Sequence, residues 1–164
     1  MAVPAALAPY LTALVAYDVD LGGPGVHRGL PSTSLTFVLP VDAPLEVSWA
    51  GRPGTRTSGW SSVSGLHAAP AEIHHDGTQR GVQLALTTAG ARALLGVPAS
   101  ELSGELLDLT EVAPALAHLP ERLAGERDPA RWTTLINREL VTALARHGEP
   151  APQAALGRAL AGLT

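Results

Sequence analysis

Up to Leu86 the apolar residues of this chain tend to fall at every second position, and beyond it they recur at every third or fourth. The first spacing is that of strands with one preferred face, and the second is that of amphipathic helices. Strands therefore come first and helices follow, which predicts an α+β fold: a curved or barrel-like antiparallel sheet with a C-terminal helical layer. At 164 residues the chain is long enough to bury a core of its own, and with no cysteine it does so without disulfides or thiolate metal sites.

Several elements can be placed locally. Tyr10 to Val19 reads as a strand, as do the alternating stretches Leu35 to Val41 and Leu45 to Trp49, joined by a turn over Asp42 to Pro44. Gly51 to Gly59 has no periodicity and reads as a loop. Asp76-Gly77 suits a type I′ turn, so Ala71 to Leu86 is expected to be a hairpin with His75 opposite Thr78 and His74 opposite Gln79. On that strand Val82, Leu84 and Leu86 share one face, and Gln79, Gly81, Gln83 and Ala85 the other. Thr87 or Thr88 caps a short helix through Leu95 that ends at Gly96, and Pro98 opens a second short segment to Leu102. Asp108 to Glu111 has capping-box spacing and starts a helix running to about Leu123, which Pro114 and Pro120 threaten to divide. Asp128-Pro129 opens the best-defined helix, stopped by Gly148, and a last helical stretch carries Leu156, Leu160 and Leu163.

Charge and composition exclude some functions. The formal net charge of −4, with eleven basic residues that are all arginine, argues against nucleic-acid binding by this chain alone. No stretch reaches the roughly 20 apolar residues that a bilayer-spanning helix needs. The apolar start from Ala5 to Tyr17 lacks a basic leader and is followed by Asp18 and Asp20, so a cytoplasmic domain is expected.

Six histidines make metal binding the first enzymatic idea. A cupin metal site would take several imidazoles and a carboxylate from neighbouring strands. His74 and His75 are adjacent, so at most one can face a barrel interior, and His27 and His67 sit in turn-rich contexts. Solvated or backbone-bonded histidines are the expected outcome, with no metal and no cofactor. There is no Gly-x-Ser-x-Gly elbow, paired-carboxylate loop, P-loop or dinucleotide fingerprint, so no catalytic residue is assigned. Tyr17, Phe37, Trp49 and Trp60 lie in the strand half, where a concave sheet face could hold a small ligand. The candidate ligand-binding residues are Tyr17, His27, Phe37, Trp49, His67 and Gln83, with core packing the favoured alternative for Phe37 and Trp49.

Three segments in order carry a family resemblance: Val26-His-Arg-Gly-Leu-Pro-Ser32 with Leu35-Thr-Phe-Val38, then Gln79-Arg-Gly-Val-Gln-Leu-Ala-Leu86, then Gly90-Ala-Arg-Ala-Leu-Leu-Gly-Val-Pro-Ala99 with Glu101-Leu102. Together they resemble the N-terminal effector domain of actinobacterial AraC-type transcription regulators, the Ala-Leu-Leu-Gly-Val-Pro-Ala stretch most specifically. The resemblance implies a cupin-like β-domain that senses a small-molecule effector, a helical pair that forms a homodimer, and a helix-turn-helix half, which this sequence lacks. On that reading 1–109 is the β-domain with short helices at 88–102, 110–148 is the dimerisation segment, and 149–164 starts a linker helix, consistent with truncation. Leu116, Leu119, Leu123, Trp132, Ile136 and Leu140 are the expected dimerisation residues of this helical pair; in its last well-defined helix the stripe Trp132, Ile136, Leu140 and Ala143 is also expected to pack on its own domain, with Ala130, Thr134, Val141 and Ala145 on the opposite face as a second buried surface. The competing readings are a cupin-type metal-dependent enzyme using His27, His67 or His75, and a purely structural dimerisation domain.

Overall fold

The computed structural model describes residues 3–147, so the expected helical stretch 149–164 lies outside the described residues. Nine strands form two antiparallel sheets. The larger holds β1 (Leu11–Asp20), β8 (Thr78–Leu86), β3 (Leu35–Pro40), β6 (Ser62–Gly65) and β9 (Leu106–Leu107), in that spatial order. The smaller holds β2 (Gly25–Gly29), β7 (Ala71–His75), β4 (Leu45–Trp49) and β5 (Thr57–Gly59). Strands β1 to β4 pair with β8 to β5 in reverse order, as the arms of one long hairpin would, and β3·β8 and β4·β7 contacts complete the sheets. Along β1 to β8 every connection except β4 to β5 changes sheet.

That crossing pattern corrects the hairpin expected at Asp76-Gly77. Strands β7 and β8 belong to different sheets and do not pair. A type I′ turn needs positive φ at both central residues, whereas Leu66 is the one non-glycine with positive φ among the described residues. Asp76 instead closes a side-chain turn, its Oδ1 accepting from Thr78 N at 3.0 Å. Gly77 packs against Gly23 of the β1–β2 crossover, where a Cβ would lie 2.9 Å from Gly23 Cα, and its carbonyl accepts from Leu21 N at 2.7 Å. Strands β5 and β6 lie partly within and just after the stretch read as a loop.

The helical half covers the outer face of the larger sheet. Thr87 is the cap of α1 (Thr88–Gly90), its Oγ1 accepting from Gly90 N at 2.9 Å, and the chain runs on through a π turn, Ala91–Leu95, to Gly96 with φ of 78°. The capping box forms: Asp108 Oδ1 accepts from Thr110 N at 2.8 Å and Glu111 Oε2 from Asp108 N at 2.8 Å. The helix expected to reach Leu123 is divided, however, into α2 (Leu109–Val112), a 3₁₀ turn (Pro114–Leu116) and α3 (Leu119–Ala124). Each proline sits in the first turn of a new segment, where its missing N–H costs nothing. Helix α4 (Pro129–His147) keeps its expected span, and Trp132 Nε1 donates to Glu126 O at 2.8 Å.

One continuous core joins the two halves. Phe37, Leu39, Val82, Leu84 and Leu86, all fully buried, meet Leu109, Leu119, Leu123, Trp132, Ile136 and Leu140. This corrects the dimerisation assignment. Leu116, Leu119, Leu123, Trp132, Ile136 and Leu140 are each at most 2% exposed, because the apolar outer face of the sheet takes up the whole stripe within the chain. Ala130, Thr134, Val141 and Ala145 are exposed on the far side of α4.

Opposite faces of the larger sheet should therefore respond differently to truncation. Phe37→Ala is expected to lower the unfolding free energy by about 3–5 kcal/mol, whereas Gln83→Ala, exposed on the other face, should change it by no more than about 0.5 kcal/mol. Urea unfolding followed by circular dichroism measures both, and equal losses would contradict the division of faces.

Candidate functional site

Between the inner faces of the two sheets lies a cavity of about 640 Å³, within the range of small-molecule sites. The pairing registers fix what lines it. Across the larger sheet one rung runs Ser62, Val38, Gln83, Val15, and the next runs Ser64, Thr36, Ala85, Ala13. Across the smaller sheet the facing rung runs His27, Ile73, Val47. Strand parity explains the difference from the helix-covered side: residues alternating with Phe37, Leu84 and Val63 must point the other way, and these are Thr36, Val38, Gln83, Ser62 and Ser64.

Four of the six candidate ligand residues, Tyr17, His27, His67 and Gln83, line this cavity. Phe37 does not, being on the helix side of β3. Trp49 does not line it either; it is 5% exposed, packs with Val47 and Ala71, and its ring centre lies 4.1 Å from that of His67. Thr36, Ser62, Ser64, Gln79, Val47 and Ile73 also line the cavity and were not singled out from sequence. The available signal was the polar half of each alternation.

Tyr17 lies opposite Gly81 in the β1·β8 ladder, and a Cβ on Gly81 would come 2.7 Å from its hydroxyl oxygen and 2.3 Å from Leu39 O. Glycine is what lets the phenol lie against the strand. Burial pushes the Tyr17 pKa up to about 12, so it remains a neutral hydroxyl at physiological pH. His67 follows Leu66, whose φ is 50°, and its Nδ1 contacts Ala69 O. A carbonyl only accepts, so Nδ1 carries the proton and Nε2 is the acceptor of the neutral ring. His27 is exposed at the cavity mouth, and its ring centre lies 5.6 Å from that of His75. Partial desolvation, and then the His75 charge, hold its pKa below the usual imidazole value. His74 takes the other face of β7, with Nε2 3.3 Å from Ser48 Oγ. Among the described residues no group of three or more His, Asp or Glu is placed to hold a metal ion.

A second hollow of similar volume adjoins the first at Tyr17, Leu45 and Gln79. Its arginines are already engaged: Arg56 with Glu46, and Arg80 with Asp42 at 2.7 Å and Asp18 at 3.1 Å. The inter-sheet cavity differs, because among the described residues the hydroxyls and amides on its larger-sheet wall make no hydrogen bond to other protein groups and stay open to the cavity. Such groups suit a ligand or ordered water. No protein-family model matches the chain, and no curated protein matches it.

The two facing histidines generate a pH prediction. Because the folded His27 pKa lies below its unfolded value of about 6.5, the unfolded chain takes up the proton first as pH falls. The His27 contribution is thus neutral above that value, and stability is lost as pH drops from there towards the folded pKa. Proton NMR should find a His27 midpoint below that of a free imidazole, and His75→Gln should raise it by removing the second charge. A midpoint unmoved by that substitution would show that the rings do not interact.

Proposed function

We propose that this chain is the ligand-sensing and dimerising domain of an AraC-type transcriptional regulator, built on a cupin-like jelly roll and acting by binding a small-molecule effector rather than by catalysis. The observation that carries the reading is the inter-sheet cavity, with hydroxyls and amides free of protein partners on the same sheet whose other face bears the helices. The reverse-order pairing of β1–β4 with β8–β5 supports the jelly-roll description, since it is what rolling one long antiparallel ribbon produces. The resemblance of Gly90 to Ala99 to the AraC effector domain supports the family, and the net charge of −4 supports leaving DNA contact to helix-turn-helix motifs outside this sequence. Among the described residues no helix is long and apolar enough to cross a membrane.

With the inner stripe of α4 occupied, the dimer surface is the outer face of that helix, where Val141 is 38% exposed beside Ala130, Thr134 and Ala145. A two-fold pairing there suits a regulator that reads paired half-sites.

Light scattering at micromolar concentration should give a homodimer, and Val141→Arg should give a monomer with an unchanged melting temperature. A monomeric wild type would remove the dimer from the reading. A thermal-shift screen of neutral metabolites should find compounds that raise the melting temperature, and gel shifts at physiological salt should find no binding of duplex DNA. Salt-sensitive DNA binding by this chain would contradict the division of labour.

A further inference from the structure

The two walls of the inter-sheet cavity differ in chemistry, and that difference constrains its ligand. On the larger sheet Thr36, Ser62, Ser64 and Gln83 present hydroxyls and an amide, interrupted by Val38 and Ala85 and giving way to Val15 and Ala13 at the β1 edge. On the smaller sheet the centre of the wall is aliphatic: Ile73 and Val47 are paired neighbours, with Leu45 beyond. Among the described lining residues there is no Asp or Glu. The one formal charge is Arg28, whose side chain is 68% exposed and lies 3.9 Å from Glu72. A cation seated between these walls would lose water without gaining a carboxylate, and an anion would meet only Arg28, which is exposed and beside Glu72, so either charge is unfavourable there. A ligand polar on both faces would leave hydrogen-bonding groups unmatched against Ile73 and Val47, and a hydrocarbon would leave the buried Ser62 hydroxyl unsatisfied.

Resting on the reading of the cavity as the effector site, we propose that it takes an uncharged, facially amphipathic ring compound, with hydroxyl or carbonyl groups on the face turned to Thr36, Ser62 and Gln83 and hydrocarbon on the face turned to Val47 and Ile73. The opening agrees with this. Val15 is 53% exposed, Val19 42% and Leu30 77%, so the rim offers apolar surface to an entering ring.

Isothermal calorimetry with four probes tests the class: methyl cholate, whose three hydroxyls share one face of a neutral hydrocarbon skeleton; its trisulfate ester, with charge on that face; methyl cholanate, which lacks the hydroxyls; and maltose, polar on both faces. Methyl cholate should bind, and the other three should bind at least about tenfold more weakly. Gln83→Leu combined with Ser62→Ala should weaken methyl cholate about tenfold while strengthening methyl cholanate, which no longer covers unmatched polar groups. Ala85→Trp, which fills the cavity from its floor, should abolish binding, with circular dichroism confirming that the variant folds; Ala85→Leu serves the same purpose if it does not. Tighter binding of the trisulfate, maltose or methyl cholanate, abolished by the filling variant, would overturn the ligand class and leave the cavity as the effector site. No binding by any probe, or binding insensitive to filling, would overturn the class, and with a thermal-shift screen equally insensitive to filling it would overturn the site as well.

Discussion

Strand β8 is hydrogen-bonded along both edges, to β1 and to β3, and the rest of the molecule depends on which way its side chains point. Val82, Leu84 and Leu86 enter the helix-covered core, and Gln79, Gln83 and Ala85 enter the cavity. A slip of one residue would exchange the sets, exposing three aliphatic side chains and burying two amides among leucines. Gly81 resists that slip. Tyr17 and the Leu39 carbonyl approach it so closely that no residue with a Cβ fits without a backbone shift, so the contact that shapes the cavity also pins the register of the core.

What the sequence made legible is what short-range spacing encodes. β-forming residues marked β1, alternation marked β3, β4 and β8, the three-to-four repeat marked α4, and Thr87 and Asp108 announced helix starts through their own side chains. Partners distant in sequence were not legible. Asp76-Gly77 has the composition of a hairpin turn, but turn composition constrains only the dihedrals of a few residues; the strands that pair with β7 and β8 lie up to 75 positions away, as Leu11 opposite Leu86 illustrates. Strands β5 and β6 contain one large apolar residue between them, Val63, so no alternation exists to be read.

The candidate site was half legible for a related reason. Periodicity separates the two faces of a strand without saying which neighbour each face meets. Phe37, as an aromatic residue, suits a ligand pocket or a core, and the core alternative holds, because the more apolar face of β3 goes to the dry helical core, where burial gains most. The amphipathic stripes of α3 and α4 carry the same ambiguity: they record that a face is buried, and the same pattern would serve a second subunit or, as here, the chain's own sheet. Tyr17, His27, His67 and Gln83 converge because β1, β2, β8 and the loop after β6 all border the gap between the sheets, a fact of topology rather than of spacing.

That topology also sets how the cavity and the helices can communicate. Arg80 stands on the helix-facing side of β8, pairs with Asp18 of β1 and with Asp42 of the β3–β4 turn, and lies 5.5 Å from the ring centre of Trp132 in α4. Three residues along the same strand, Gln83 lines the cavity. Any displacement of β8 on filling the cavity would therefore be felt by a partly exposed, ion-paired guanidinium packed on the first turn of α4. A ligand shifts the helices only to the extent that it binds one arrangement of this strand better than another. On the proposed reading the polar wall would give an effector the means, because hydrogen bonds to Gln83 and Ser62 depend on direction and discriminate strand positions that the aliphatic wall, sensitive mainly to buried area, would tolerate equally.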